Sequence, residues 1–302
     1  MGHISRILVS GASGLIGSAL RNAAHEKGIE VTTLVRRHRE VRGRAIHWNP
    51  GGTNQGVHPA ALEGFDAVVH LNGATVARRW SRQYRETIFS SRVRSTEVLC
   101  GVLGKVRRPP PVLLCASAVG IYGDRGDEVL SEESSPGSGF LAETCRAWEA
   151  AAQPARDLGI RVVHLRFGVV LSRKGGALGK MLPVFQLAMG GKLGSGQQWM
   201  SWISERDVVR AIWFLMEHEE LSGAFNLTAP QPVTNAEFTQ ALSRGVHRPA
   251  PLPVPAAVLR LAFGEMARET MLASQRVLPK RLEEAGFQFE DAWIDAAFRA
   301  LL

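Results

Sequence analysis

Apolar and polar positions alternate along this chain in blocks rather than residue by residue. Short runs rich in Ile, Leu and Val at 4–11, 30–36, 65–74, 109–123 and 160–172 read as buried strands. Between them, 14–28, 81–106 and 139–159 carry an apolar stripe on a polar background and read as helices. Strands bounded by helices, with no tight hairpins between them, predict a parallel sheet covered on both faces. With right-handed crossovers, that is a Rossmann-like doubly wound α/β fold, whose ligands sit beyond the C-terminal strand ends.

The alternation loosens after residue 172. The stretches at 172–185 and 189–204 are rich in glycine and tryptophan and read as loops over a site. Prolines from 248 onward introduce an amphipathic helical tail. The expected organisation is a nucleotide-binding core over 1–172, with further strand and helix elements from about 200–235. A smaller substrate-side lobe and tail cover 173–302, interleaved with that core.

Charge and cysteine narrow the classes. The chain has 36 Lys+Arg against 28 Asp+Glu, a net +8. Such an excess suits nucleic acid, a membrane surface or anionic small molecules. The densest cluster, 36–44 with five arginines, reads as a solvated loop, and Arg39, Arg42 and Arg44 have that ordinary explanation. No zinc-finger spacing, RNP-like motif or basic heptad helix accompanies it, so a nucleic-acid partner is not expected. No long apolar run spans a membrane and no signal-peptide pattern opens the chain, so no membrane is expected. Cys100, Cys115 and Cys145 are few and scattered, and no His pair has metal-ligand spacing beside a carboxylate. These features point to a reducing cytoplasm and to no metal.

The chemistry begins at "GASGLIG". Gly11, Gly14 and Gly17 follow a strand and open a helix, the context in which such a triplet binds a dinucleotide. Gly11 serves a sharp turn, Gly14 a close approach to a pyrophosphate, and Gly17 tight packing of the helix. Ser13 adds a hydroxyl donor. The second strand ends in Arg36 and Arg37 where an NAD site wants a carboxylate, and paired arginines suit the 2′-phosphate of NADP.

The segments "GASGLIGSAL", "DAVVHLNGA", "SAVGIYG" and "LRFGVVLS" resemble the extended short-chain dehydrogenase/reductase superfamily of NAD(P)-dependent epimerases and dehydratases. "CRAWEAAA", "GAFNLTAPQPVTNAEF" and the tail from "GEMARETMLASQ" are similar to its atypical epimerase-family subgroup, loosely called nucleoside-diphosphate-sugar epimerases. The resemblance implies NADP(H) as cofactor. It places Gly11, Ser13, Gly14, Leu15 and Ile16 at the pyrophosphate, and Arg36 with Arg37 at the 2′-phosphate. Leu71, Asn72 and Gly73 would lie over the adenosine ribose and pyrophosphate, Arg92 would reach the cofactor, and Val170 would lie near the nicotinamide.

The superfamily's Tyr-x-x-x-Lys pair is missing, because Leu141 and Cys145 stand at its two positions. Ser117 resembles the superfamily's serine, and Tyr122 is the nearest phenol that could move a proton. Three readings follow. One is an NADP(H)-dependent oxidoreductase or epimerase-like enzyme acting on an unidentified small molecule, with a rearranged proton donor. The second is a catalytically silent NADP(H)-binding regulator or redox sensor acting through a protein partner, and the third a nucleic-acid-associated protein. Trp199 and Trp202 could stack on a ligand or pack in a core, Asp207 is expected to help start a helix, and Glu143 reads as a solvated helix position.

Overall fold

The computed structural model describes residues 4–36, 43–51 and 57–302; Arg37, Arg39 and Arg42 lie outside the described residues. The first half runs β1 (Arg6–Ser10), α1 (Leu15–Glu26), β2 (Glu30–Val35), β3 (Arg44–His47), β4 (Ala67–His70), α2 (Arg82–Ser90), α3 (Val93–Leu103) and β5 (Val112–Ala118). It continues through β6 (Val129–Leu130), α4 (Phe140–Ala150), α5 (Gln153–Asp157), β7 (Arg161–Phe167) and β8 (Val169–Ser172). The second half holds α6 (Gly176–Gln186), β9 (Trp199–Met200), β10 (Trp202–Ser204), α7 (Glu205–Glu217), β11 (Gly223–Leu227), β12 (Val233–Thr234) and α8 (Asn235–Gly245). The tail adds α9 (Ala256–Phe263), β13 (Arg276–Val277), α10 (Lys280–Glu284) and α11 (Ile294–Leu301).

Seven strands form one sheet in the order β11-β7-β5-β4-β1-β2-β3, and it is parallel, as the sequence pattern predicts. Alternate residues of its strands feed two cores. Ile7, Val9, Val69 and Leu165 pack with Leu20 and Ala24 of α1 and Val208 and Ile212 of α7. Leu8, Val68 and Val162 pack on the other face with Leu99 and Leu103 of α3 and Ala155 of α5. A third core unites α6, α8 and α11 through Leu178, Leu182, Phe238 and Phe298, and forms the lobe.

Several boundaries differ from the pattern-based reading, each for a physical reason. The stretch 160–172 is two strands, because at Gly168 a Cβ would lie 2.6 Å from the Ser201 carbonyl oxygen. β8 leaves the main sheet there and pairs with β10. The stretch 81–106 breaks at Ser91, whose Oγ accepts the Ala74 N–H at 2.9 Å, so the helix interruption is tied to the loop after β4. Residues 176–186, expected as loop, are the helix α6, with Leu178, Leu182 and Phe185 on its buried face. Arg44, expected in a solvated loop, begins the edge strand β3.

The tail is woven into the core. Leu282 and Phe287 join the α1/α7 core, and β13 pairs with β6. Ser204 caps α7, and the buried Asp207 carboxylate accepts the N–H groups of Glu290 and Asp291 at 3.1 and 2.8 Å. Asp207 therefore does stand at a helix start, and its larger effect is to fasten the tail to α7.

Gly17→Ala should lower stability by about 1–3 kcal/mol, because the new methyl collides with the Gly11 carbonyl oxygen. Gly101→Ala, in an α3 position with nothing within 4 Å of the new Cβ, should be neutral or stabilising by up to about 1 kcal/mol. Urea midpoints of the two variants check both; equal midpoints would show that α1 is not packed at that limit.

Candidate functional site: a dinucleotide cradle at the sheet's switch point

Strand order reverses between β1 and β4, and both loops of interest leave those two strands. Gly11 turns the chain with φ +68, a conformation side chains resist, and a Cβ there would lie 2.6 Å from the Leu71 carbonyl oxygen. Gly17 brings α1 hard against the same turn. Gly14 is different. It is the exposed N-cap of α1, it supplies no side-chain cap, and a Cβ on it would meet only the Gly11 carbonyl oxygen at 3.2 Å. The first-turn N–H groups of α1 therefore open outward with no acid in that turn, beside the exposed Ser13 and the half-buried Leu15 and Ile16. Oriented N–H groups and the helix dipole favour an anion there.

A buried histidine locks the two strand ends together. Ser10 Oγ lies 2.7 Å from His70 Nδ1, and Ser95 Oγ lies 3.3 Å from its Nε2. Burial pushes His70 down to about 3, so the ring is neutral and can exchange hydrogen bonds with both hydroxyls. Ser10 Oγ also accepts the Leu71 N–H at 3.2 Å, which fixes where Leu71, Asn72 and Gly73 leave β4. The sequence reading passed over His70. Its only signal was a histidine closing an apolar strand.

Two cations flank this turn. Arg36 is exposed at the end of β2, and its side chain has no carboxylate partner among the described residues. Arg92 sits between α2 and α3 with its guanidinium against Gly73, 5.2 Å from the Trp148 ring centroid. It donates to the Ile88 carbonyl oxygen at 3.1 Å and has no carboxylate partner among the described residues. Desolvation lowers its pKa, while the thiol of Cys145 and the phenol of Tyr84 oppose the shift. Arg92 thus holds a cation that interacts with Cys145. Val170 lies on β8, packed against the α1/α7 core and paired in register with Ile203.

The two proton-transfer candidates are already engaged. Ser117 is 2% exposed and donates to Glu149 Oε1 at 2.7 Å. Glu149 accepts two bonds from Arg166, at 2.8 and 2.9 Å. Tyr122 is fully buried; its hydroxyl donates to Asn226 Oδ1 at 2.8 Å and accepts from Arg166 at 2.9 Å. Burial raises the phenol's pKa, against the lowering effect of Arg166. Burial alone would also raise Glu149, but the bonds and charge of Arg166 hold it below the usual carboxylate range. The phenol is therefore an anchor joining β7 to β11 through their side chains. This corrects the expectation that Tyr122 reaches a substrate oxygen. The carboxylate in "CRAWEAAA" and the guanidinium in "VVHLRFG" were the available signal for this network, and the sequence reading did not pair them.

Leu141 and Cys145, the positions at which the resemblance implies a Tyr-Lys pair, both lie on α4. Leu141 is half-buried, and Cys145 is buried with its thiol raised to about 12, first by desolvation, so it is a neutral packing group. Glu143 is exposed. Glu269 of the tail accepts the Phe140 and Leu141 N–H groups at 3.1 and 2.8 Å and so caps the helix. A cavity of about 730 Å³ opens beside this cap, lined by Arg82, Arg85, Phe89 and Phe140, and none of the glycine turn lines it. Neither tryptophan is placed as a stacking platform. Trp202 is buried and donates to the Gln231 carbonyl oxygen, and Trp199 donates to Asp127 beneath the Arg276 guanidinium. Among the described residues no group of side chains could hold a metal ion, and no helix is long and apolar enough to cross a membrane.

Known proteins are similar to this chain in sequence and fold. Residues 7–228 match the NAD dependent epimerase/dehydratase family, and 254–301 match a domain of unknown function, DUF1731. The epimerase family protein Mb2239 of Mycobacterium bovis is 47% identical over 292 residues, covering 96% of this chain and 95% of that protein. The human epimerase family protein SDR39U1 (isoform 2), in a crystal structure with NADPH, superposes with TM-score 0.88 at 32% identity, covering 98% of both chains. A nucleoside-diphosphate sugar epimerase from Corynebacterium glutamicum gives TM-score 0.81 at 35% identity, covering 99% of this chain and 58% of that one. With the glycine cradle at the switch point of its seven-stranded sheet, the chain belongs to the NAD-dependent epimerase/dehydratase family.

Proposed function

We propose that the protein is an NADP(H)-dependent oxidoreductase or epimerase-like enzyme for an unidentified small molecule, working without a Tyr-x-x-x-Lys pair. The observation that carries the cofactor is the contrast among the three glycines. Gly11 and Gly17 are crowded by protein atoms on several sides, whereas Gly14 is exposed, a Cβ there would meet only the Gly11 carbonyl oxygen at 3.2 Å, and its outer side is open to a ligand. A pyrophosphate fits that opening, held by the first-turn N–H groups of α1 and the Ser13 hydroxyl. Arg36, with Arg37, would grip the 2′-phosphate, and the human relative bound to NADPH supports this choice.

NADP(H) would supply the hydride donor or acceptor. This chain's part is to hold and orient it: Leu71, Asn72 and Gly73 beneath the ribose and pyrophosphate, Arg92 as a desolvated cation for an anionic oxygen, and Val170 as an apolar wall on the nicotinamide side. Ser117 is the proposed hydrogen-bond donor to a substrate oxygen, a role it can take only by giving up Glu149. The three free, buried cysteines suit a cytoplasmic location. Engagement of both Ser117 and Tyr122 favours a second reading, a catalytically silent NADP(H) binder that reports redox state to a partner.

Calorimetric titration should show NADPH binding roughly tenfold to a hundredfold tighter than NADH. Arg36→Ala should erase most of that difference while NADH affinity stays unchanged. Equal affinities in the wild type would contradict the assignment. Hydride transfer to or from any carbonyl or sugar, followed at the nicotinamide absorbance, decides between the enzyme and the silent binder.

Tyr122→Phe should lower stability by about 1–3 kcal/mol, because Asn226 and Arg166 each lose a buried partner, with NADPH affinity within about twofold of wild type. Unchanged stability together with a turnover loss of about 10²-fold or more would restore the phenol to proton transfer.

A further inference from the structure

Three stretches of this chain contain no Asp or Glu: 67–85, 173–204 and 238–264. Together they carry eleven Lys and Arg, so much of the chain's +8 excess resides in them. Arg85, Lys174 and Arg244 pair with Glu265, Glu205 and Asp295, and the fold brings parts of the three stretches together. Lys180 Nζ of α6 donates to the Ala77 carbonyl oxygen at 3.4 Å, and Arg79 donates to the Leu261 carbonyl oxygen of α9 at 3.3 Å. The segment after α6 is stitched to the one before α9 by Leu252 N–H to Gly190 O at 3.0 Å and Gly194 N–H to Val254 O at 2.8 Å. α6 and α9 thus flank the loop that follows Gly73. α6 itself starts at the cradle, where a Cβ on Gly176 would lie 3.2 Å from the Leu15 side chain.

This basic face is also apolar. Leu261 is 81% and Leu187 71% exposed, the two highest values among large apolar side chains of the described residues. Met189, Leu252 and Val258 are each at least half exposed. Lys180, Val184 and Leu187 follow one another at helical spacing on the outer face of α6, while Leu178, Leu182 and Phe185 face its core. Arg78, Arg79, Lys180, Lys192 and Arg260 have no carboxylate partner among the described residues. A face with solvent-exposed leucines and unneutralised cations matches an anionic head attached to a hydrocarbon chain. A purely polar anion would use the cations and leave the leucines in water.

We propose that the substrate is an anionic amphiphile, a single molecule with a phosphate or carboxylate head and an alkyl chain. The head lies among Arg78, Arg79 and Lys180 at the mouth of the cofactor cleft, and the chain runs along α6 and α9. The assignment rests on the reading of the protein as an NADP(H)-dependent enzyme, and its test separates the two. Calorimetry with dodecyl phosphate below its micelle concentration should give a dissociation constant at least roughly tenfold lower than butyl phosphate or dodecyl maltoside, and binding that weakens with added salt. Leu187→Ser combined with Leu261→Ser, both at exposed positions, should weaken dodecyl phosphate binding by about tenfold while NADPH affinity stays at the wild-type value. Arg79→Gln combined with Lys180→Gln should abolish the preference over dodecyl maltoside. Equal binding of butyl and dodecyl phosphate, or full binding by the serine variant, would overturn the proposal. So would sedimentation with phosphatidylglycerol vesicles without binding of monomeric dodecyl phosphate, which would assign the face to a membrane surface instead. Loss of NADPH binding in the wild type would contradict the cofactor reading; loss of dodecyl phosphate binding alone would contradict only this one.

Discussion

The closest approach in the molecule that matters for function is backbone to backbone. At Gly11 the turn leaving β1 lies against the Leu71 carbonyl, and at Gly17 the following helix lies against Gly11. No side chain fits at either point. This contact sets the angle at which α1 leaves the sheet and the side of the turn on which its free N–H groups emerge. It also sets the height of the Leu71–Gly73 loop above them, which His70 secures from beneath through Ser10 and Ser95. The cradle is thus over-determined by packing before any ligand arrives, as a site needs in order to recognise a pyrophosphate without reorganising.

The rest of the site is built from side chains that are already paired with one another. Leu141 and Cys145 pack on α4, and that helix is capped by Glu269 from the tail. Arg92, delivered from the break between α2 and α3, brings a positive charge that interacts with Cys145. Ser117 and Tyr122 are bound into one network with Glu149, Arg166 and Asn226, which ties β5, β7 and β11 to α4. Breaking the Glu149–Arg166 pair would strand a largely buried charge, a change that costs about 3–5 kcal/mol in comparable settings. That penalty explains why the network reads as architecture as much as chemistry.

The parallel sheet was legible in the sequence, because buried parallel strands are continuous apolar runs, and so was the strand-to-helix junction at which Gly11, Gly14 and Gly17 sit. The breaks were not. Gly168 divides an apolar run only because Ser201, far along the chain, passes close to it. Ser91 interrupts a helix only because its hydroxyl serves Ala74. α6 was hidden by its glycines and Pro183, and its apolar spacing was the signal that prevailed. Tyr122 was legible as a phenol near the strand ends. Its partners Arg166 and Asn226 come from strands adjacent only in three dimensions, and they decide that it faces inward. Arg37 lies outside the described residues, so the arginine pair is represented in the structure by Arg36 alone.

Amide hydrogen exchange tests the cradle most directly. Adding NADPH should slow exchange of the first-turn amides around Ser13–Gly17 and of the Leu71–Gly73 loop by about tenfold or more, with β7 and β11 unchanged. Exchange in those two loops that is identical with and without saturating NADPH would contradict the claim that this turn is the dinucleotide site.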